Sequence, residues 1–280
     1  MRVFGKIVFI IAAIITAGIL LYPVVSDWMN AHSQSAVIIG HLESVQNVDS
    51  EVLAELLGMA QVYNEDLRQD PDPFSFSDEE WDRYLRMLDS GDGIMGILSI
   101  EKIAVNLPIY HGTDEDALQA GIGHLPGSSL PVGGESTHAF ITGHRGLPSS
   151  TLLSDLDQIV EGDRFVLYVA GQALTYQVDD IQTVTPDDMS AVFVTEGADY
   201  VTLLTCTPYG INTHRLLVRG SRVPDSEVEG DMRNALYADA KSANATTLLL
   251  LASIALAPLI ALALFIGIRR SKGKERYVRS

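Results

Sequence analysis

Val201-Thr-Leu-Leu-Thr-Cys-Thr-Pro-Tyr-Gly-Ile-Asn-Thr-His-Arg-Leu-Leu-Val-Arg-Gly220 reads as a strand, a turn and a second strand. The β-prone run Val201 to Thr205 ends on Cys206, the only cysteine of 280 residues. Thr207, Pro208, Tyr209 and Gly210 supply turn chemistry, and a second β-prone run begins near Arg215. A thiol at the mouth of a strand, with a cation nine residues on, suits an exposed nucleophile. The competing reading of Cys206 is a small buried hydrophobe, the commonest state of a free cysteine.

A cysteine nucleophile needs an acid/base partner, because both the leaving group and the attacking group exchange protons. The chain offers His32, His41, His111, His124, His138, His144 and His214. His144 follows the short strand pattern Ala139 to Thr142, and Gly143 frees its approach. Side chains alternate along a strand, so if Arg215 faces Cys206, the adjacent His214 faces away. His124 lies in a glycine-containing loop, and pattern alone does not separate it from His144.

The run ending in Thr205-Cys206, with Arg215 beyond it, resembles the active-site signature of sortases, and Thr142-Gly-His-Arg145 is similar to the family's histidine signature. The longer stretch from Thr205 to Gly220 resembles class C, the pilin-polymerising branch. The resemblance implies Cys206 as nucleophile, His144 as acid/base group and Arg215 as the residue that donates to a developing oxyanion or positions the peptide. It also implies the substrate: a Leu-Pro-x-Thr-Gly-like sorting signal cut after threonine, with the acyl-enzyme resolved by an acceptor lysine of another pilin subunit. Class C members carry a lid anchored by an Asp-Pro-aromatic triplet, which Asp72-Pro73-Phe74 matches. The expectation is that Asp72 accepts a hydrogen bond from Arg215 or Cys206 and Phe74 covers the thiol. Three other readings stand beside this one: a sortase anchoring proteins to peptidoglycan, a non-catalytic membrane-tethered pilin assembly module, and a hydrolytic cysteine protease.

Charge and hydropathy fit a surface enzyme. The formal charge is −17, yet the termini are basic: Arg2 and Lys6 at one end, six Lys/Arg against Glu275 in residues 269–280 at the other. Between them lie 11 basic and 35 acidic residues, a surface that repels phosphate backbones, so nucleic acid is not an expected partner. Ile7–Val25 gives 19 residues without a charge and Thr246–Ile268 gives 23, each long enough to cross a bilayer. The first run also has the make-up of a cleaved signal peptide; its length favours a retained anchor. The positive-inside rule then places both termini in the cytoplasm and the acidic middle outside. One cysteine and scattered histidines give no metal-ligand spacing, and no phosphate-cradling glycine loop is present, so neither metal nor cofactor is expected.

Taken in order, the chain predicts a mostly β protein: a closed β-barrel of about eight strands, with N-terminal helices and a lid loop, flanked by two transmembrane helices. A weak helical segment is expected over 35–48, a stronger one capped by Asp49 or Ser50, a break at Asp70-Pro71-Asp72-Pro73, and a helix from the Ser77 capping box to Gly91. Strand periodicity begins near Gly96, and separate strands are expected over 164–169, over 173–178 and before Val184-Thr185-Pro186. The expected organisation is a signal-anchor (1–30), a helical region with the lid at about 70–76 (31–95), the catalytic barrel (96–222), an acidic tether (223–245), a membrane helix (246–268) and a basic cytoplasmic tail (269–280).

Overall fold

Alternating apolar residues at period two, punctuated by glycine and proline, build eight strands whose inner faces share one core. The computed structural model of the chain describes residues 2–188, 192–224 and 233–241; in the first helix its side chains are described from Ile15 onward, Ala17 excepted. The strands are β1 (Ile94–Ile100), β2 (Val105–His111), β3 (Ile122–His124), β4 (Thr137–Thr142), β5 (Arg164–Val169), β6 (Gln172–Val184), β7 (Asp199–Thr207) and β8 (His214–Arg222). They close into a barrel in the order β1-β2-β3-β4-β7-β8-β6-β5. The pairs β2/β3 and β4/β7 are parallel and the others antiparallel.

Inward-facing Val201, Leu203, Ala139, Ile141, Leu216 and Val218 join one buried cluster with Leu98, Leu107, Ile122, Phe165 and Tyr176. Residues 173–184 form one strand where two were expected. A register shift between Val178 and Asp180 lets β6 bend and stay paired with β8, as a bulge does.

Four helices precede or interrupt the barrel: α1 (Arg2–Asn47), α2 (Ser50–Leu67), α3 (Asp78–Leu85) and α4 (Glu115–Ala120). The segment expected over 35–48 is the end of α1, which runs unbroken for 46 residues past Pro23. Asp49 caps α2 by accepting from the Glu51 N–H at 3.0 Å, and Ser77 with Glu80 forms the reciprocal capping box of α3. Helix α3 ends at Leu85, short of Gly91. Leu88 takes a positive φ of 59°, and the Asp89 carboxylate collects the N–H groups of Gly91, Asp92 and Gly93.

The outer face of β1 and β5 is covered by α1 and by a helical stretch over 233–241. Ile38 and Leu42 of α1 meet Leu236 and Ala240 over Ile97, Tyr168 and Ala173. Part of the expected tether is thus packed against the barrel. Next to this face the His41 Nδ1 lies 2.7 Å from Asp92 Oδ2 and ties α1 to the entry of β1.

Among the described residues the expectation of a transmembrane helix is not met: no helix there is long and apolar enough to cross a membrane. The second run, 246–268, lies outside the described residues.

Candidate active site

The sheet register assembles the three sequence-derived residues from strands far apart in the chain. In the antiparallel pair β7/β8, Cys206 lies directly opposite Arg215. Such partners stand about 4.5–5.5 Å apart at Cα, within mutual reach of their side chains. In the parallel pair β4/β7, Thr142 lies beside Leu204. Pairing continues one residue further, with the Gly143 N–H donating to Leu204 O at 3.1 Å and Thr205 Oγ1 donating to Gly143 O at 2.7 Å. His144 is therefore delivered beside Cys206.

Strand alternation places Thr202, Leu204 and Cys206 on one outer face of the barrel, level with His138, Phe140 and Thr142 on β4 and with Arg215, Leu217 and Arg219 on β8. His214 falls on the opposite side, as alternation requires. Gly143 is needed for the close approach: a Cβ there would sit 2.7 Å from Ile122 Cγ2 and 2.9 Å from Leu153 Cδ1.

The three groups have different surroundings. Cys206 is half-buried and not in a disulfide. His144 Nε2 is shielded from solvent and makes no hydrogen bond among the described residues; Glu115 Oε2 of α4 stands 3.9 Å away. A ring nitrogen without a hydrogen-bond partner keeps its capacity to exchange a proton with a bound substrate. Arg215 Nη1 donates to the backbone oxygens of His214 at 3.1 Å and Asn212 at 3.4 Å. A guanidinium carries five N–H donors, so these two bonds leave Arg215 with donors to spare.

Arg145 has a structural role beside the site that sequence reasoning missed. It is nearly buried, donates to Thr207 Oγ1 at 3.1 Å and to Ser154 O at 3.0 Å, pairs with Asp157, and lies over the Tyr209 ring. It clamps the turn after Cys206 to the loop after His144. The available signal was its place beside His144, but its partner Thr207 is 62 residues away.

The lid triplet is not brought to the thiol. The Asp72 side chain is exposed, and no hydrogen bond joins it to Cys206 or Arg215 among the described residues. The Asp72 N–H instead donates to Asp70 Oδ1 at 2.9 Å, and the Ser75 N–H to Asp72 O at 3.1 Å, which shapes a tight turn. Pro73 and Phe74 press on Gly127 and wall a cavity of about 590 Å³ with Ser128, His138 and Phe193. His138 and Thr202 lie four to six residues of strand before Cys206, ~13–20 Å at 3.3 Å per residue. A second cavity of about 290 Å³ shares His138 and Phe193 and continues along Thr202, Leu217 and Arg219. The lid therefore sits at the far end of the face that leads to the thiol.

Two other histidines are buried and neutral. His138 donates from Nδ1 to Phe193 O at 3.2 Å and accepts at Nε2 from Thr202 Oγ1 at 2.8 Å, and burial pushes its imidazole down to about 4. His124, the competitor left open by pattern, is fully buried. It donates to Ser129 O at 2.8 Å and accepts from the Tyr84 hydroxyl at 2.9 Å, and burial likewise brings it to about 4. Its ring atoms are spent on structure. Among the described residues no three His, Cys, Asp or Glu side chains gather closely enough to hold a metal ion.

Known proteins share this arrangement. The family described as Sortase domain matches residues 98–223. Sortase C1 from Streptococcus agalactiae is 46% identical with a TM-score of 0.64, covering 68% of this chain and 98% of that one, and a lid mutant of it has also been solved. Sortase C of Streptococcus pneumoniae, described for its catalysis and pilin substrate specificity, is 48% identical with a TM-score of 0.60, covering 65% of this chain and 94% of that one. Sortase D of Bacillus subtilis is 32% identical over 131 residues, which are 46% of this chain and 63% of that protein. The chain spans less than two thirds of the length of the curated relatives it matches. A cysteine facing an arginine across β7/β8, a histidine delivered by β4, a mixed eight-stranded barrel and a 46% identical structure matched over 98% of its own length lead to one conclusion: the chain belongs to the sortase family.

Proposed function

We propose that the chain is a membrane-anchored class C-type cysteine transpeptidase that cuts Leu-Pro-x-Thr-Gly-like sorting signals after threonine and joins pilin subunits through a lysine isopeptide bond. The carrying observation is that Cys206 lies opposite Arg215 in the β7/β8 register and that His144 directly follows Gly143, which is hydrogen-bonded to Leu204 and Thr205 of β7. The Cys206 thiolate attacks the threonine carbonyl, and Arg215 turns from its own backbone to donate to the oxyanion. His144 protonates the departing amine, leaving a thioester. A lysine amine of a second subunit then attacks the thioester, giving up its proton to His144, and the thiolate leaves. Residues 138–142 and 202–206 form the floor along which an extended peptide lies, and the Asp72-Pro73-Phe74 lid covers the upstream end of that floor.

Support for the pilin substrate comes from the near 45% identity to class C structures, one of which is described for pilin specificity. Anchoring is supported by the apolar runs Ile7–Val25 and Thr246–Ile268 beside basic ends, with both termini cytoplasmic and the barrel outside. The test is mass spectrometry of the full chain with a sorting peptide, with and without a lysine-bearing acceptor. We expect an acyl adduct on the parent, none on Cys206→Ala, and amide product only with acceptor. An adduct on the alanine variant would remove Cys206 from its role. Free threonine carboxylate as the sole product, acceptor present, would make the chain a hydrolase.

A further inference from the structure

His144 is held from two sides, and helix α1 is tied to both. On one side the chain leaving His144 folds back on itself. The Leu153 N–H donates to His144 O at 3.3 Å, Arg145 Nε to Ser154 O at 3.0 Å, and the Gly146 N–H to Ser154 Oγ at 3.1 Å. The Ser154 N–H donates in turn to Thr151 O at 2.8 Å. On the other side stands α4, whose Glu115 carboxylate faces the imidazole at 3.9 Å.

Three side chains of α1 reach these supports. Asp27 Oδ1 accepts from the Thr151 N–H at 2.6 Å and from Thr151 Oγ1 at 2.8 Å. Asn30 Nδ2 donates to Ser149 O at 2.7 Å. Gln34 Nε2 donates to Ala120 O, the last residue of α4, at 3.2 Å. Asp27, Asn30 and Gln34 are spaced i, i+3 and i+7, so they lie on one helix face. That face follows directly on the apolar run that ends at Val25.

Packing alone does not account for this face. Thr151 and Ser149 lie on a loop at the protein surface, where water would satisfy their backbone groups at little cost. What α1 adds is a fixed position. Four hydrogen bonds span 86 to 124 residues of sequence and end on the two segments that bracket one imidazole. Proton transfer falls off steeply with misplacement of the acid, with about 1 Å costing on the order of a hundredfold. We infer that the Asp27/Asn30/Gln34 face of α1 is a positioning element for His144, so that the helix carrying the first apolar run sets the geometry of proton transfer. The inference rests on the proposed role of His144.

The test uses the full chain in detergent micelles, with steady-state transpeptidation and amide hydrogen exchange as separate readouts. Asp27→Ala with Asn30→Ala should lower kcat about tenfold and leave KM within twofold. Exchange should rise over 144–154 and stay unchanged in β1 and β2. Asp27→Asn keeps an acceptor oxygen and should recover most of kcat. Thr151→Val removes one hydroxyl from an exposed residue, which spares folding, and should lower kcat about threefold. Parent-like kcat and parent-like exchange in these variants would overturn the inference. So would a loss that appears in KM, or one that spreads evenly over the barrel. A parent chain without transpeptidase activity would instead overturn the proposed function, and the exchange pattern would still decide whether α1 orders 144–154.

Discussion

Gly127 makes a contact that no residue with a side chain could make. Its φ is +87°, and a Cβ there would lie 2.5 Å from Pro73 O and 2.6 Å from Phe74 Cδ1. Gly127→Ala should therefore dislodge the lid triplet while leaving Asp72, Pro73 and Phe74 intact. We expect faster limited proteolysis at residues 70–76 and a stability loss of about 1–3 kcal/mol from strain and overpacking. A cleavage pattern identical to the parent would show that the lid is not seated on Gly127. At this scale the sequence placed Cys206 near the end of one strand, Arg215 near the start of the next and His144 just past a third, and the structure has them there. The role of Arg145 was not legible, because its value lies in holding Thr207 against Ser154, a contact set by two loops meeting.

Elements showed a different balance. The caps of α2 and α3 are local, since Asp49 and the Ser77/Glu80 pair act within three residues, and they formed where the sequence placed them. The break between α2 and α3 was marked by its prolines, but the resting place of Asp72-Pro73-Phe74 was not. Pro73 and Phe74 wall a cavity with His138, which lies six residues of strand, ~20 Å at 3.3 Å per residue, before Cys206, where direct cover of the thiol had been expected. The experiment follows from that distance. Asp72→Ala with Phe74→Ala should leave the labelling rate of Cys206 by a small thiol reagent within about twofold of the parent. The same variant should lower KM for an extended sorting peptide, because the cavity walled by Pro73, Phe74 and His138 is then open. Faster labelling with unchanged KM would place the lid on the thiol after all.

Across the whole molecule, buried histidines make stability depend on pH; burial lowers His111 as well as His124 and His138. His124 and His138 are held near 4 when folded and titrate near ~6.5 when unfolded. Between those values the unfolded chain binds more protons, so stability is full above about pH 7 and falls as pH drops from ~6.5 towards ~4. The slope is about 1.4 kcal/mol per pH unit for each group. Asp199, raised by burial, gains stability on acidification and offsets part of this. Asp92 and Asp163, held below the usual carboxylate range, add their own loss only at lower pH: hydrogen bonds and charge from His41 outweigh burial at Asp92, and Lys102 leads at Asp163. Urea unfolding at pH 7.5, 6.0 and 5.0 should therefore give a declining midpoint. An unchanged midpoint over this range would mean that these imidazoles are not buried as neutral groups.

The sequence by itself determined the strand segments, the helix caps, the acidic middle between basic ends and the chemistry of the nucleophile. Those features depend on periodicity, local hydrogen bonding and residue type, all of which act within a few positions. The tertiary structure alone decided that residues 172–184 are one bent strand, that α1 runs unbroken to Asn47, that the lid rests on Gly127, and that Asp27, Asn30 and Gln34 reach the supports of His144. The first two depend on what each segment packs or pairs against, and the last two join residues that chain order separates, so only the folded barrel fixes them.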